Sequence, residues 1–253
     1  MPLLKQETGH NLMSILIDEN TTFIIQGITG REAVNMTREC LNYGSKIVGG
    51  VTPGKGGREV YGVPVFDSVK EITSTQEVHG SVLTVPPAFV RDAAFEALEN
   101  GIKLLVIVTE RIPRGEVAQI VEFTKRYEAH LIGPNSLGLI SPTKSKMGGI
   151  GGPADDTRKA YSQGPVGVMS RSGGMTTEIS SALTNAGIGQ STAISIGGDA
   201  IIGSTYAELM PLFESDPQTK AIVIYTEPGG PMEAQLASYI QDNNSRIPIG
   251  LSK

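Results

Sequence analysis

The chain has 253 residues, 39% of them hydrophobic, and a formal net charge of −5. The acidic balance gives no basis for a nucleic-acid or anionic-membrane surface, and no run of about 18 apolar residues offers a membrane-spanning helix. The length accommodates two α/β units.

Cys40 is the single cysteine, so no internal disulfide forms, which points to a reducing compartment. The opening MPLLKQETGH lacks the cationic and apolar blocks of a signal peptide and the arginines of a mitochondrial presequence. The expected location is the cytoplasm, or the mitochondrial matrix for a eukaryotic source. His10, His79 and His130 are scattered, and no His or Cys pair has zinc-ligand spacing, so no metal site is expected.

Short apolar runs alternate with helical patterns, which predicts parallel βαβ units. In the first half, strands are expected at 22–26, 47–51, 81–85, 104–108 and 130–133, several of them continuously apolar as in a sheet covered on both faces. Helices are expected at 32–42, 68–74, 89–100 and 113–129, the last with Val117, Ile120, Val121 and Phe123 as its apolar face. Gly101 suits the end of the third helix.

From 141 to 164 the pattern fades into Pro, Gly, Lys and Asp, and the domain boundary is placed there, giving units at 1–145 and 146–253. Strands then resume at 166–170, 192–196, 221–225 and 247–251, with helices at 175–186, 206–215 and 232–242. The last strand has no helix after it, so one face needs cover from a partner or from further chain.

Three kinds of strand-end loop carry chemistry. Gln26-Gly27-Ile28-Thr29-Gly30-Arg31-Glu32 follows the first strand and opens a helix. Glycines there let the backbone approach a phosphate, and the helix N-terminus supplies N–H donors; the same glycines also serve packing alone. The second strand ends in Gly49-Gly50-Val51, where a dinucleotide enzyme places a ribose-binding acid, and continues into Thr52-Pro53-Gly54-Lys55-Gly56-Gly57. A lysine at this edge suits a phosphate-bearing nucleotide other than NAD; the alternative is a solvated lysine in a turn. Val85-Pro86-Pro87-Ala88 and Val108-Thr109-Glu110-Arg111 reach the same crevice.

In the second half, Ser170-Arg171-Ser172-Gly173-Gly174-Met175 links a strand to a helix and makes an anion site, and Thr226-Glu227 ends another strand.

In order, Met13-Ser14-Ile15-Leu16-Ile17-Asp18, the 27–30 turn, Val48-Gly49-Gly50-Val51-Thr52-Pro53-Gly54-Lys55-Gly56-Gly57, Ile132-Gly133-Pro134-Asn135, Ser170-Arg171-Ser172-Gly173, Ile196-Gly197-Gly198-Asp199 and Asp216-Pro217-Gln218-Thr219 resemble the α subunit of succinyl-CoA synthetase. The resemblance implies an N-terminal CoA-binding Rossmann domain and an incomplete flavodoxin-like ligase domain, both with mainly parallel sheets. It assigns CoA contacts to Thr29, Gly30, Arg31, Glu32, Lys55, Val108, Thr109 and Glu110. It assigns phosphate binding to Ser172, Gly173 and Gly174, an acid that orients a phosphorylated histidine to Glu227, and the substrate-contacting position to Thr177.

The same resemblance implies an ATP-grasp β subunit that holds ATP or GTP with Mg, and a small carboxylic acid and CoA as substrates. No P-loop motif occurs in this chain, in keeping with a nucleotide site elsewhere. In that family the relay histidine follows the segment that matches 247–253, so the expectation is a chain cut short and inactive by itself. Thr177 stands where the family has a tyrosine, Ser136-Leu137 where it has Cys-Pro, and Arg111 where it has glycine. The SRSGGM string at 170–175 is closer to ATP-citrate lyase and citryl-CoA synthetase. Two further readings stay open: a citryl-CoA or malyl-CoA synthetase subunit, and a non-catalytic CoA-binding module.

Overall fold

The computed structural model describes residues 15–227 and 230–252; His10, Met13 and Ser14 lie outside this range. β1 (Thr22–Gln26) pairs in parallel with β2 (Lys46–Val51) on one side and β5 (Gly80–Leu83) on the other. β6 (Leu104–Ile107) and β7 (His130–Ile132) extend the sheet beyond β5. Beyond β2 lies a hairpin of β3 (Glu59–Val60) and β4 (Val63–Phe66), not foreseen from the sequence, which completes a seven-stranded sheet. Its turn, Tyr61-Gly62, has both φ angles positive, as a tight hairpin with right-handed strand twist requires.

The helices are α1 (Arg31–Tyr43), α2 (Val69–Thr73), α3 (Val90–Glu99) and α4 (Arg114–Arg126). α1 buries Ala33, Thr37 and Cys40, spaced to share one face. α4 buries Val117, Ile120 and Thr124. Thr124 was not part of the expected apolar face; its hydroxyl donates to the Ile120 carbonyl at 2.7 Å, which makes its burial tolerable. Phe123 instead stacks on Phe95 of α3, ring centroids 4.1 Å apart. Gly101 adopts φ 86 just past α3, as expected for a helix end.

The second sheet starts earlier than the composition suggested. β8 (Gly138–Ser141) and β9 (Ser145–Met147) form an antiparallel hairpin on its edge. A boundary at 145/146 therefore falls inside β9, and α5 (Ala154–Ala160) occupies part of the stretch read as loop. The hairpin is short and polar on its surface turn, so its strands carry little alternation to detect.

β10 (Gln163–Ser170), β11 (Gln190–Ser195), β12 (Ala221–Tyr225) and β13 (Ile249–Ser252) are parallel, in the order β13-β12-β10-β11-β8-β9. They are joined by α6 (Gly173–Asn185), α7 (Tyr206–Ser215) and α8 (Met232–Asp242). β13 is an edge strand, and its Leu251 is 64% exposed.

The two sheets share packing. One apolar cluster includes Val82, Val106 and Ile132 of the first sheet and Leu139, Met147, Met169 and Ile194 of the second. Polar bonds reinforce it: the Ser45 hydroxyl donates to the Lys146 carbonyl (2.7 Å) and accepts the Lys146 N–H (3.0 Å).

On the far side of the junction, Thr124, Lys125, His130, Ser204 and Glu208 line a cavity of about 210 Å³. Burial lowers the His130 pKa from 6.5, against the opposing pull of the Glu208 carboxylate. The unfolded chain therefore takes up a proton near pH 6.5 and the folded chain only below it. Within that window the unfolded state holds more protons, so stability falls with pH. Denaturation curves across pH 7.5 to 5 should show this loss, and His130→Gln should flatten it.

Candidate functional site

Open parallel sheets bind ligands at the strand C-termini where the strand order reverses. In the first sheet that point lies between β1 and β5. Along this rim stand Lys55 after β2, the 27–30 turn after β1, Thr84 to Pro86 after β5 and Val108 to Glu110 after β6. Four adjacent strand ends span roughly 14 Å at the usual strand spacing, a length suited to an extended nucleotide.

Lys55 is half-buried and donates from Nζ to Thr29 Oγ1 at 3.1 Å. Thr29 Oγ1 donates in turn to Thr52 Oγ1 at 3.2 Å, so the two glycine-rich turns are bonded together with a cation between them. Gly30, Arg31 and Glu32 are exposed at the start of α1, and no side chain caps that helix. Its first N–H groups are thus open to an anion.

Thr109 donates from Oγ1 to the Val85 carbonyl at 2.8 Å, which locks the β6 loop to the β5 loop. Exposed Glu110 pairs with Arg111 at 3.3 Å. Arg111 has φ 61, the left-handed region that glycine adopts freely.

The missing ribose acid has a steric reason. A Cβ on Gly50 would come within 2.4 Å of Ile28, a fully buried side chain. Gly50 thus admits the side chain that supports the 27–30 turn from below.

The second sheet reverses between β10 and its neighbours β11 and β12. Ser172 caps α6 by accepting the Met175 N–H. The N–H groups of Gly173 and Gly174 have no acceptor among the described residues and point with the positive end of the helix dipole. Ser170 and Tyr225 are register partners, so Glu227, two residues past Tyr225, belongs to the same rim as the α6 N-terminus. Thr177 is turned elsewhere: its Oγ1 lies 3.0 Å from the Tyr161 hydroxyl. Burial pushes Tyr161 up to about 12, so that phenol is neutral.

Arg171 was not singled out from the sequence as a site residue. It is 7% exposed, and its Nη2 donates to the carbonyls of Gly198 (3.0 Å) and Asp199 (2.7 Å). Its Nε has no partner, and no carboxylate pairs with it among the described residues. A buried cation without a counter-charge, one residue before the α6 cap, leaves this rim positive. A cation between two serines at a strand end was the available signal.

Neither described histidine reaches either rim. His79 precedes β5 and His130 begins β7, at the N-terminal edge of the first sheet. His79 Nδ1 accepts the Thr22 N–H at 3.1 Å.

The chain thus has two α/β units, one with glycine-rich turns and Lys55 along its rim and one with an open helix N-terminus at a strand end. Residues 18–111 match the model of the CoA binding domain, and residues 163–249 match that of the succinyl-CoA ligase like flavodoxin domain. The chain is 44% identical to the α subunit of the ADP-forming succinate–CoA ligase of Methanothermobacter thermautotrophicus, over 92% of this chain and 77% of that one. It is 42% identical to the α subunit of malate–CoA ligase from Methylorubrum extorquens, over 94% and 80%. It belongs to the family of succinate–CoA ligase α subunits. The structure of ATP citrate lyase from Methanothrix soehngenii, in complex with citrate and coenzyme A, shares the fold with a TM-score of 0.86 at 20% identity. That match covers 94% of this chain and 41% of the lyase chain.

Proposed function

We propose that this chain is the CoA-binding α subunit of a ligase that joins a small dicarboxylate to CoA with cleavage of a nucleoside triphosphate. The observation that carries the reading is the pairing of Lys55 and the 27–30 turn on one sheet with the α6 N-terminus, backed by buried Arg171, on the other. Succinate and malate, the acids of the two relatives, are both four-carbon dicarboxylates and support this substrate class.

In this reading CoA lies along the first rim, its phosphates on Lys55 and the α1 N-terminus and its arm beside Val108, Thr109 and Glu110. An ATP-grasp partner subunit holds ATP or GTP with Mg. A phosphorylated histidine, which is neither His79 nor His130, delivers its phosphoryl group at Ser172, Gly173 and Gly174, with Glu227 as the acceptor that orients the imidazole. The substrate carboxylate attacks phosphorus, the P–N bond to histidine breaks, and an acyl phosphate forms. The CoA sulfur then adds to the acyl carbon. The C–O bond to phosphate breaks, phosphate leaves with the electron pair, and the thiol proton passes to solvent.

Thr177 adjoins this site through its backbone on the first turns of α6. Its hydroxyl is held by Tyr161.

Titration calorimetry with CoA tests the first half of the reading. Lys55→Ala should weaken CoA binding by about 1–2 kcal/mol, the contribution of a charge-assisted phosphate contact. Unchanged affinity would remove Lys55 from the site. Full-length chain with its partner, ATP or GTP, succinate or malate, and CoA should yield acyl-CoA; binding without turnover for any dicarboxylate would favour the non-catalytic module.

A further inference from the structure

Acyl transfer needs the anion site of one domain and the CoA rim of the other in fixed register, and an unbroken polar path joins them. The Asn135 N–H donates to the Thr109 carbonyl at 3.1 Å, and Thr109 belongs to the CoA rim. The Asn135 carbonyl accepts the Gly198 N–H at 3.1 Å, and its Nδ2 donates to Asp199 Oδ1 at 3.0 Å. Arg171, the residue just before the α6 cap, closes the path by gripping the carbonyls of Gly198 and Asp199.

Every link is a hydrogen bond of ordinary length, and each residue stands at a strand end facing the rim. Asn135 takes φ 54, a conformation that asparagine tolerates better than most residues. The same loop is tied to the first domain again by the Gly203 N–H on the Gly133 carbonyl (2.8 Å) and the Ser204 N–H on the Leu131 carbonyl (2.7 Å). The backbone bonds hold the domains together; the Asn135 and Asp199 side chains add only one exposed bond near the mouth of the site. Such a bond contributes little to stability. Its placement gives it another use.

We propose that Asn135, Asp199 and Arg171 are positioning residues that set the distance between the anion site at α6 and the CoA rim. The proposal rests on the ligase reading above. Misplacement of reacting groups by about 1 Å is enough to cost on the order of a hundredfold in rate, so loosening this path should act on turnover and spare the separate binding steps.

The test uses the full-length chain assembled with its partner subunit. Asn135→Ala and Asp199→Ala should each lower kcat for acyl-CoA formation by about tenfold or more, with the Kd for CoA within twofold of wild type by calorimetry. Arg171→Lys should fall with them if it folds, because the shorter side chain does not bring its nitrogen to the position from which Nη2 donates to both carbonyls. The combined exchange Asn135→Asp and Asp199→Asn reverses donor and acceptor across the same bond and should recover most of the lost turnover.

Single variants that keep kcat within twofold would overturn the proposal. So would a loss of CoA affinity in proportion to kcat, since that would mark a direct CoA contact, and so would an exchange that recovers nothing. A wild-type complex that forms no acyl-CoA would overturn the ligase reading and this proposal with it. An active wild type with unaffected variants overturns the positioning role alone.

Discussion

Replacing Lys146 by alanine should destabilise the protein by about 2–4 kcal/mol, whereas replacing it by methionine should change stability by no more than about 1 kcal/mol. Lys146 lies in β9 and is fully buried, at the contact between α1 of the first domain and α5 of the second. Its Nζ donates to the Gly152 carbonyl at 2.7 Å and to Thr157 Oγ1 at 3.3 Å, and no carboxylate is bonded to it. Desolvation lowers its pKa from 10.5, with partial relief from Cys40 and Glu39.

Alanine would remove the aliphatic stem, leave a cavity and take the shorter of two donors from the Gly152 carbonyl, which keeps a 3.3 Å bond from the Thr157 hydroxyl, three losses of the same sign. Methionine keeps the volume of the stem and deletes a buried charge whose desolvation opposes folding, so the lost hydrogen bonds are offset. Equilibrium unfolding in urea gives both numbers. Equal losses for the two variants would mean that the ammonium bonds, and not the packing, hold this contact.

The sequence exposed the framework of the fold because the parallel strands are buried on both faces. β1, β2, β5, β6, β10 and β12 read as largely apolar runs and β11 as a mixed one, and their predicted ends differ from those observed by a few residues at most. The hairpins β3–β4 and β8–β9 did not register, since two- to four-residue strands carry too little periodicity and pairing partners decide them. That omission displaced the domain boundary, because β8 and β9 precede the Gly-rich stretch and yet hydrogen-bond to β11.

The candidate site was legible where glycine and a cation sit at a strand end, as in the 27–30 turn and Lys55. It was not legible at Arg171, whose significance comes from burial without a counter-ion, or at Asp199 and Asn135, which are 64 residues apart and meet only through the junction of the sheets. In the sequence Gly49-Gly50 shows only that a ribose acid is missing; the tertiary reason, space for Ile72 and Ile28, belongs to contacts with other elements.

The junction that brings those residues together depends on Gly197, and Gly197→Ala should cost about 2–4 kcal/mol, combining a strained backbone with forced overpacking. Gly197 has φ 112, outside what a side chain tolerates, and a Cβ there would lie 2.4 Å from the Pro134 carbonyl oxygen. The blocking atom is main chain, so no rotamer change relieves the contact; the 197–203 loop has to withdraw from 133–135 as a unit.

That withdrawal would break the Gly133 N–H bond to the Ile196 carbonyl (3.1 Å) and the Gly198 N–H bond to Asn135. The expected result therefore differs from that of Asp199→Ala in kind. Asp199→Ala should reduce turnover and leave the midpoint of urea unfolding within experimental scatter, whereas Gly197→Ala should lower that midpoint and reduce turnover together. CoA affinity serves as the control, because the Lys55 and Thr29 contacts lie on the other side of β1. Gly197→Ala with wild-type stability would show that the two sheets can separate locally at little cost, and the rigid register on which acyl transfer depends would have to come from the apolar cluster through Met147 and Ile194 instead.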